Sequence, residues 1–279
     1  MASHKLSSLT PHVVDAATLL DHPNDNRLFV DVRLGEPVDE FKSYRDSHIH
    51  GAVYGQIRDV FAGQPTADSG SLPLPAIADL QKQLRAWGVD ADTEVVVYGP
   101  SPALAARGWW VLRWAGLRDV KILDGGIKAW VAQGGPMAQG ERVPLPRPAS
   151  DRLLLTPGNM PSIPVAAVEC LSAHVLLVDA RDESSFLAGS IPRAVNLPAA
   201  EQWTPGSNLR TVDEIRTLYG QAGALDGAEV VVYCGGGVLS ALSVLTLSAL
   251  GVTPQLFVGS WSEWNKSAAR MARSVDERG

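Results

Sequence analysis

Three segments from the first half of this chain recur, in the same order, in its second half. The paired segments are Val30-Asp-Val-Arg33 with Val178-Asp-Ala-Arg181, Val95-Val-Val-Tyr98 with Val230-Val-Val-Tyr233, and Gly125-Gly-Ile-Lys-Ala-Trp130 with Gly259-Ser-Trp-Ser-Glu-Trp264. With 279 residues, the chain is long enough for two domains of ordinary size. The repeat therefore predicts one fold that has been duplicated.

Short apolar segments alternate with segments of helical pattern in both halves. We predict strands at 28–32, 95–98, 176–179 and 230–233, and helices at 77–87, 103–115, 212–221 and 238–250. This alternation is typical of an α/β fold in which a parallel sheet is flanked by helices. The helix at 238–250 is apolar nearly all round, so we expect it to be buried.

A stretch dense in proline, residues 136–164, separates the two copies. Such a composition is typical of an extended linker that runs from one domain to the other. We place the boundary near residue 145, which gives a first domain of residues 1–145 and a second of residues 146–279.

A cysteine follows directly on the second copy of the repeated strand. Cys234 enters a glycine loop, which leads into the apolar helix. Glycines allow successive backbone N–H groups to turn toward one point, and the helix adds its positive end, so an anionic sulfur would be stabilised there. We predict that Cys234 is a nucleophile and that the residues after it form its substrate cradle. These are Gly235, Gly236, Gly237, Val238, Leu239 and Ser240.

The first copy of the strand lacks this chemistry. Gly99 stands in place of the cysteine, and Pro100 begins the loop. Glycine carries no nucleophile, and proline removes an N–H donor. We therefore expect a reaction only in the second domain.

Composition excludes several classes of protein. The chain has 24 Lys and Arg against 30 Asp and Glu, without a basic run, so nucleic acid is an unexpected partner. Its two cysteines, Cys170 and Cys234, indicate no disulfide framework, and a reactive thiol suits a reducing compartment. We find no signal peptide or membrane span, and we expect a cytoplasmic protein.

These motifs resemble the tandem-domain rhodanese family, the thiosulfate and 3-mercaptopyruvate sulfurtransferases, over almost the whole chain. The matching segments are Cys234-Gly-Gly-Gly-Val-Leu-Ser240, Gly259-Ser-Trp-Ser-Glu-Trp264, Leu123-Asp-Gly-Gly126 and His48-Ile-His-Gly-Ala52. The resemblance implies two tandem rhodanese-like domains and a sulfurtransferase reaction. Sulfane sulfur would pass from a donor such as thiosulfate or 3-mercaptopyruvate to cyanide or a thiol, through a persulfide on Cys234. The partners would be small molecules, and no metal or organic cofactor would be needed.

Both donor signatures of the family are incomplete in this chain. Thiosulfate-using members usually place cations where this chain has Gly235 and Gly236. Mercaptopyruvate-using members commonly have serine at the position of Gly236 and a histidine from the first domain. The segment matching that histidine, residues 70–75, contains none, and the family's second arginine falls on Ser185.

Other functions fit the cysteine loop less well. A sulfur-carrier module with little small-molecule turnover, or a purely structural protein with an inert thiol, is an alternative to the enzyme. A cysteine phosphatase of the same fold would need arginine where Ser240 stands, to meet the charge of a phosphoryl group. A dinucleotide site would need an acidic residue after the next strand, and residues 256–259 supply none.

Several residues have both a structural and a functional interpretation. Arg181 could clamp substrate, but Arg33 repeats it in the copy without cysteine, which favours a structural ion pair. Trp130 and Trp264 occur in both copies and should pack in the core, whereas Trp261 could line the pocket entrance. The spacing His48-Ile-His50 suits two metal ligands, but with only Asp46 nearby we expect a turn rather than a metal site.

Overall fold

The computed structural model describes residues 10–140, 151–267 and 270. The first domain is built on a parallel sheet of order β1-β6-β5-β2-β4. Its strands are β1 (Val13–Val14), β2 (Arg27–Arg33), β4 (Val53–Gln56), β5 (Glu94–Tyr98) and β6 (Val120–Leu123), with β3 (His48–Ile49) and β7 (Met137–Ala138) forming a separate antiparallel pair. Its helices are α1 (Ala16–Asp21), α2 (Pro37–Asp46), α3 (Ile77–Ala86), α4 (Pro102–Trp114) and α5 (Gly126–Ala132), with a π-helical turn at Ile57–Phe61.

The second domain repeats this plan with a parallel sheet of order β11-β10-β8-β9. Its strands are β8 (Val175–Asp179), β9 (Val195–Asn196), β10 (Glu229–Tyr233) and β11 (Gln255–Leu256). Its helices are α6 (Val165–Val168), α7 (Glu183–Ala188), α8 (Val212–Gln221), α9 (Leu239–Ala249) and α10 (Ser260–Trp264), with a 3-10 turn at Ala199–Gln202. The duplicated α/β fold is thereby confirmed.

The central strands keep the same register in both copies. Val97 of β5 pairs with Val30 of β2, and Val232 of β10 pairs with Val178 of β8. All four valines are fully buried, as expected for parallel strands whose two faces are both covered by helices. The predicted strands and helices are also confirmed, since each of their ends lies within one residue of the observed end.

Helix α9 is the most buried helix of the second domain. Every residue from 240 to 247 is buried, although the segment includes two serines and a threonine. The hydroxyl of Thr246 donates to the Gln202 side chain at 2.8 Å, so this buried polar group is satisfied. The predicted burial of this helix is confirmed.

The described part of the linker is extended and joins the two domains. Thr156 N donates to Ala115 O at the end of α4, and Ile163 N donates to Leu256 O in β11. The predicted boundary near residue 145 lies outside the described residues. Within the described ranges, no helix combines the length and the apolar character that crossing a membrane would require.

The two domains share one apolar core in which α4 packs along α9. Each of these helices begins just beyond the carboxyl end of a central strand, α4 after β5 and α9 after β10. The loop that carries Cys234 therefore meets the first domain, and its surroundings come from both copies of the repeat.

Candidate active site

Cys234 lies between the end of β10 and the start of α9, on the face of the sheet that points toward α9 and the first domain. Its side chain belongs to the shared core together with Val178 and Val232, and only 1% of the residue is exposed. Water is therefore largely excluded from the sulfur, and fixed polar groups of the protein determine its electrostatic environment.

Two polar hydrogens point at the Cys234 sulfur. The backbone N–H of Gly237 donates to Sγ at 3.2 Å, and the hydroxyl of Ser240 donates to Sγ at 3.3 Å. Both groups donate to the sulfur, an arrangement that favours an anion. Within the described chain we find no such bond from the other four predicted cradle residues, Gly235, Gly236, Val238 and Leu239.

Ser240 stands where a phosphatase of this fold would carry arginine, and in this chain its hydroxyl contacts the Cys234 sulfur. Its side chain is fully buried in the first turn of α9 and reaches the sulfur rather than an incoming group. The site thus places a hydroxyl, not a cation, at this end of the loop.

Gly237 gives the loop its curvature. Its φ of +81° lies in the left-handed region, and an added Cβ would be 2.7 Å from Val258 O. Gly235 differs, because an added Cβ there would meet no atom within 4 Å. The loop is therefore closely packed at its third glycine and open at its first.

The segment at the start of α10 forms a platform under the loop. Ser260 Oγ accepts from Cys234 N at 3.2 Å, while Trp261 N and Ser262 N donate to the carbonyl oxygens of Cys234 and Gly235, both at 2.9 Å. These bonds hold the first two carbonyl groups of the loop away from the sulfur. The segment Gly259-Ser-Trp261 therefore has a positional role that the sequence alone did not reveal.

Residues 70–75 of the first domain cover the loop. This is the segment in which mercaptopyruvate-using members of the family would carry a histidine. Ser71 N donates to Ser262 Oγ at 2.9 Å, and an added Cβ at Gly236 would be 2.7 Å from Ser71 Oγ. A hydroxyl from the first domain thus lies next to the position where a side chain of residue 236 would begin.

Arg107 is a site residue that sequence reasoning missed. It projects from α4 of the first domain, is fully buried, and its Nη1 donates to Gly237 O at 3.4 Å. Burial lowers the pKa of Arg107 to about 10, and the nearby Cys234 opposes that change. Arg107 is far from Cys234 in the sequence, so no local motif connects the two residues. A charged residue within a mostly apolar helix was the one sign in the sequence that it could have a special role.

Arg181 lies on the opposite face of the second sheet. Its Nη2 is 2.6 Å from the buried carboxylate of Asp179 and also donates to Gly189 O. The Trp261 ring covers it, with Cζ of Arg181 4.8 Å from the ring centroid. These contacts favour a structural ion pair and place the Trp261 side chain beside Arg181 rather than beside the sulfur.

The remaining candidates are parts of the packed structure. Trp130 and Trp264 are buried in the cores of their domains, as predicted. His48 is buried, stacks on Tyr44 at 4.1 Å between ring centroids, and contacts Tyr44 O through Nδ1, while His50 lies at the exposed turn that follows. In the described ranges, no three His, Cys, Asp or Glu side chains form a group that could hold a metal.

Comparison with known proteins agrees with this architecture. The rhodanese-like domain model matches residues 15–133 and 166–267. The Mycobacterium tuberculosis protein named "Putative thiosulfate sulfurtransferase SseB" is 35% identical over 257 residues, which cover 85% of this chain and 87% of that protein. A probable 3-mercaptopyruvate sulfurtransferase from Pseudomonas aeruginosa is 35% identical over 268 residues, covering 87% and 90%. The crystal structure of the 3-mercaptopyruvate sulfurtransferase SseA from Escherichia coli superposes with a TM-score of 0.78 at 30% identity, covering 91% of this chain and all of that one.

Proposed function

Because the chain belongs to the rhodanese-like family of tandem-domain sulfurtransferases, we propose that Cys234 is the residue that carries the transferred sulfur. The observation that carries the proposal is the pair of hydrogen bonds from Gly237 N and Ser240 Oγ to its buried Sγ. In this proposal residues 1–145 form the domain without a nucleophile and residues 146–279 form the catalytic domain.

The first half of the proposed reaction loads the cysteine. The Cys234 thiolate attacks the outer sulfur of the donor, and a new S–S bond forms. In thiosulfate the donor's own S–S bond breaks and sulfite leaves with the electron pair. In 3-mercaptopyruvate the C–S bond breaks instead, and pyruvate leaves as its enolate and takes up a proton.

The second half returns the enzyme to its starting state. Cyanide or a thiolate attacks the outer sulfur of the persulfide, its S–S bond breaks, and Cys234 leaves as a thiolate. The Gly237 N–H and the Ser240 hydroxyl can stabilise the Cys234 thiolate before loading and when it leaves. Two displacements through a covalent intermediate predict ping-pong kinetics.

The position of Ser71 favours 3-mercaptopyruvate as the better donor. Its hydroxyl lies beside Gly236, where mercaptopyruvate-using members of the family commonly carry a serine in the loop. A hydroxyl can donate to the oxygen of a departing enolate. Departing sulfite carries two negative charges, and the loop glycines offer it no cation. We expect kcat/KM to be higher with 3-mercaptopyruvate than with thiosulfate.

Intact mass spectrometry tests the proposal directly. The wild-type protein should gain one sulfur atom when it is exposed to either donor, and Cys234→Ser should gain none. Cys170→Ser is the matched control, because Cys170 is exposed and should not affect loading. A wild-type protein that gains no sulfur, or a Cys234→Ser variant that still does, would contradict the proposal.

Turnover separates the enzyme from a sulfur-carrier module. We expect multiple rounds of thiocyanate production from cyanide, in excess of the protein concentration. A single round, with the persulfide formed but not regenerated, would identify a carrier.

A further inference from the structure

We propose that Arg107, a residue of the domain without the cysteine, is the buried cation that holds the Cys234 sulfur in its anionic form. This inference rests on the proposed function for its second stage, the persulfide, but its first stage, the thiolate, can be tested without any sulfur donor. Arg107 acts as a positioning residue, through its charge and through its contact with Gly237.

The guanidinium of Arg107 is held by backbone carbonyl groups from both domains. Nε and Nη2 donate to Phe61 O at 3.3 and 3.1 Å, and Nη2 also donates to Leu72 O at 2.9 Å. Nη1 donates across the domain interface to Gly237 O at 3.4 Å. These bonds leave the plane of the guanidinium little freedom to turn away from the cysteine loop.

No carboxylate within salt-bridge distance neutralises Arg107 in the part of the chain that the structure describes. The residue is fully buried, and a buried charge is costly unless an opposite charge compensates it. Burial lowers the pKa of Arg107 and Cys234 opposes that change. The guanidinium also donates to Gly237 O, and the N–H of the same glycine donates to the Cys234 sulfur. The thiolate therefore supplies the counter-charge that the arginine otherwise lacks, and by reciprocity the arginine stabilises the thiolate.

Arg107 also lies against the loop residue that donates to the sulfur. An added Cβ at Gly237 would be 2.9 Å from Nη1 of Arg107, so the guanidinium packs directly on this glycine. The N–H of the same glycine donates to Cys234 Sγ. The arginine thus fixes the donor as well as contributing its charge.

The same arrangement serves the persulfide stage. When the sulfur atom is transferred, the negative charge moves to the outer sulfur of the persulfide, and the cation stays in the closed interface. A sulfur atom carried by Cys234 would then be retained until an acceptor attacks it. The domain without a nucleophile thereby contributes a functional group to the reaction.

Three variants separate charge from packing. Arg107→Gln keeps polar hydrogens but removes the charge, Arg107→Lys keeps the charge, and Arg113→Gln makes the same change elsewhere on α4. Arg113 donates to Leu117 O and Arg118 O at the far end of that helix, away from the loop. The measured quantity is the rate of Cys234 alkylation by iodoacetamide between pH 6 and 9.

In Arg107→Gln we expect alkylation at neutral pH to slow by about tenfold, and its pH profile to move to higher pH, because one lost charge-assisted contact changes an ionisation by roughly that factor. Arg107→Lys should recover most of the rate, and Arg113→Gln should match the wild type. A wild-type pH profile in Arg107→Gln would overturn the inference while leaving persulfide loading intact. Conversely, slowed alkylation in a protein that takes up no sulfur would support Arg107 and refute the proposed function.

A second measurement needs no variant of Arg107, and so holds if Arg107→Gln does not fold. Iodoacetate and iodoacetamide are similar in size, but only iodoacetate is an anion. A buried cation beside Cys234 attracts the anionic reagent, so the iodoacetate rate divided by the iodoacetamide rate should be higher at Cys234 than at Cys170. Cys170 is exposed and serves as the internal reference. Equal ratios at the two cysteines would also overturn the inference.

Discussion

Replacing Ser240 by alanine removes one of the two observed hydrogen bonds to the Cys234 sulfur. The hydroxyl donates to Sγ at 3.3 Å from a fully buried side chain, so no water can take its place without a local rearrangement. Hydrogen bonds to charged groups contribute about 1.5–3 kcal/mol, and about 1.4 kcal/mol corresponds to tenfold in an ionisation equilibrium.

We expect the lower end of that range, because the Gly237 N–H remains in place at 3.2 Å. Alkylation of Cys234 at neutral pH should therefore slow by about tenfold in Ser240→Ala. Transfer of the sulfur from the persulfide to cyanide should slow as well, because Cys234 leaves as a thiolate and its Sγ has lost one hydrogen-bond donor. Iodoacetamide kinetics and time-resolved intact mass measure these two effects separately.

Ser243→Ala is the matched control on the same helix. Ser243 is also fully buried, but its hydroxyl accepts from Gln202 Nε2 at 2.8 Å and does not contact the sulfur. This variant should lose about 1 kcal/mol of unfolding free energy, as for a typical hydrogen bond, and keep the wild-type alkylation rate. Equal alkylation rates in Ser240→Ala and Ser243→Ala would refute the idea that the hydroxyl stabilises the thiolate.

Two further perturbations test the loop and the opposite face of the sheet. Gly237→Ala should slow alkylation of Cys234 and lower the melting temperature, because a φ of +81° is strained for alanine and its Cβ would collide with the Val258 carbonyl oxygen. Gly235→Ala is the control and should keep the wild-type melting temperature, because a Cβ there meets no atom within 4 Å. Wild-type behaviour of Gly237→Ala in both assays would count against the described loop. Arg181→Met should lower the unfolding free energy by about 3–5 kcal/mol in denaturant titrations, since it leaves a buried carboxylate unpaired, without changing Cys234 alkylation. A stable Arg181→Met protein with slowed alkylation would instead support the substrate-clamp interpretation.

The fold was predictable because the repeat applies the same constraints twice. The runs of valine at 95–97 and 230–232 require burial on both faces of a strand, which in this pattern of strands and helices only a parallel sheet satisfies. The position of Cys234 at a strand end before a helix was predictable for the same reason. Of the predicted cradle residues, Gly237 and Ser240 donate to the sulfur in the structure, and the role of the cradle in binding substrate stays a prediction.

The contributions of the first domain to the site were not predictable. Arg107 and Ser71 reach the Cys234 loop only because α4 and α9 pack together across the domain interface, and no local pattern announces such a contact. The role of Ser260 was hidden for a related reason. Its hydroxyl accepts from the Cys234 N–H only after β11 has been placed beside β10.

The two copies of the repeat differ in ways that complement each other. Aligned on their central strands, Gly99 of the first copy corresponds to Cys234 of the second, and Arg107 corresponds to the buried Leu242. The first copy carries no nucleophile at this position. It also has no room for one, because a side chain at Gly99 would collide with the carbonyl oxygen of Val32. An arginine at position 242 would have no thiolate opposite it, and burying it would only cost stability. The cysteine and the cation are therefore useful only in different copies, and the domain interface brings them together. With Arg107 in its proposed role, this asymmetry explains in physical terms how a domain without a nucleophile contributes to the chemistry of its neighbour.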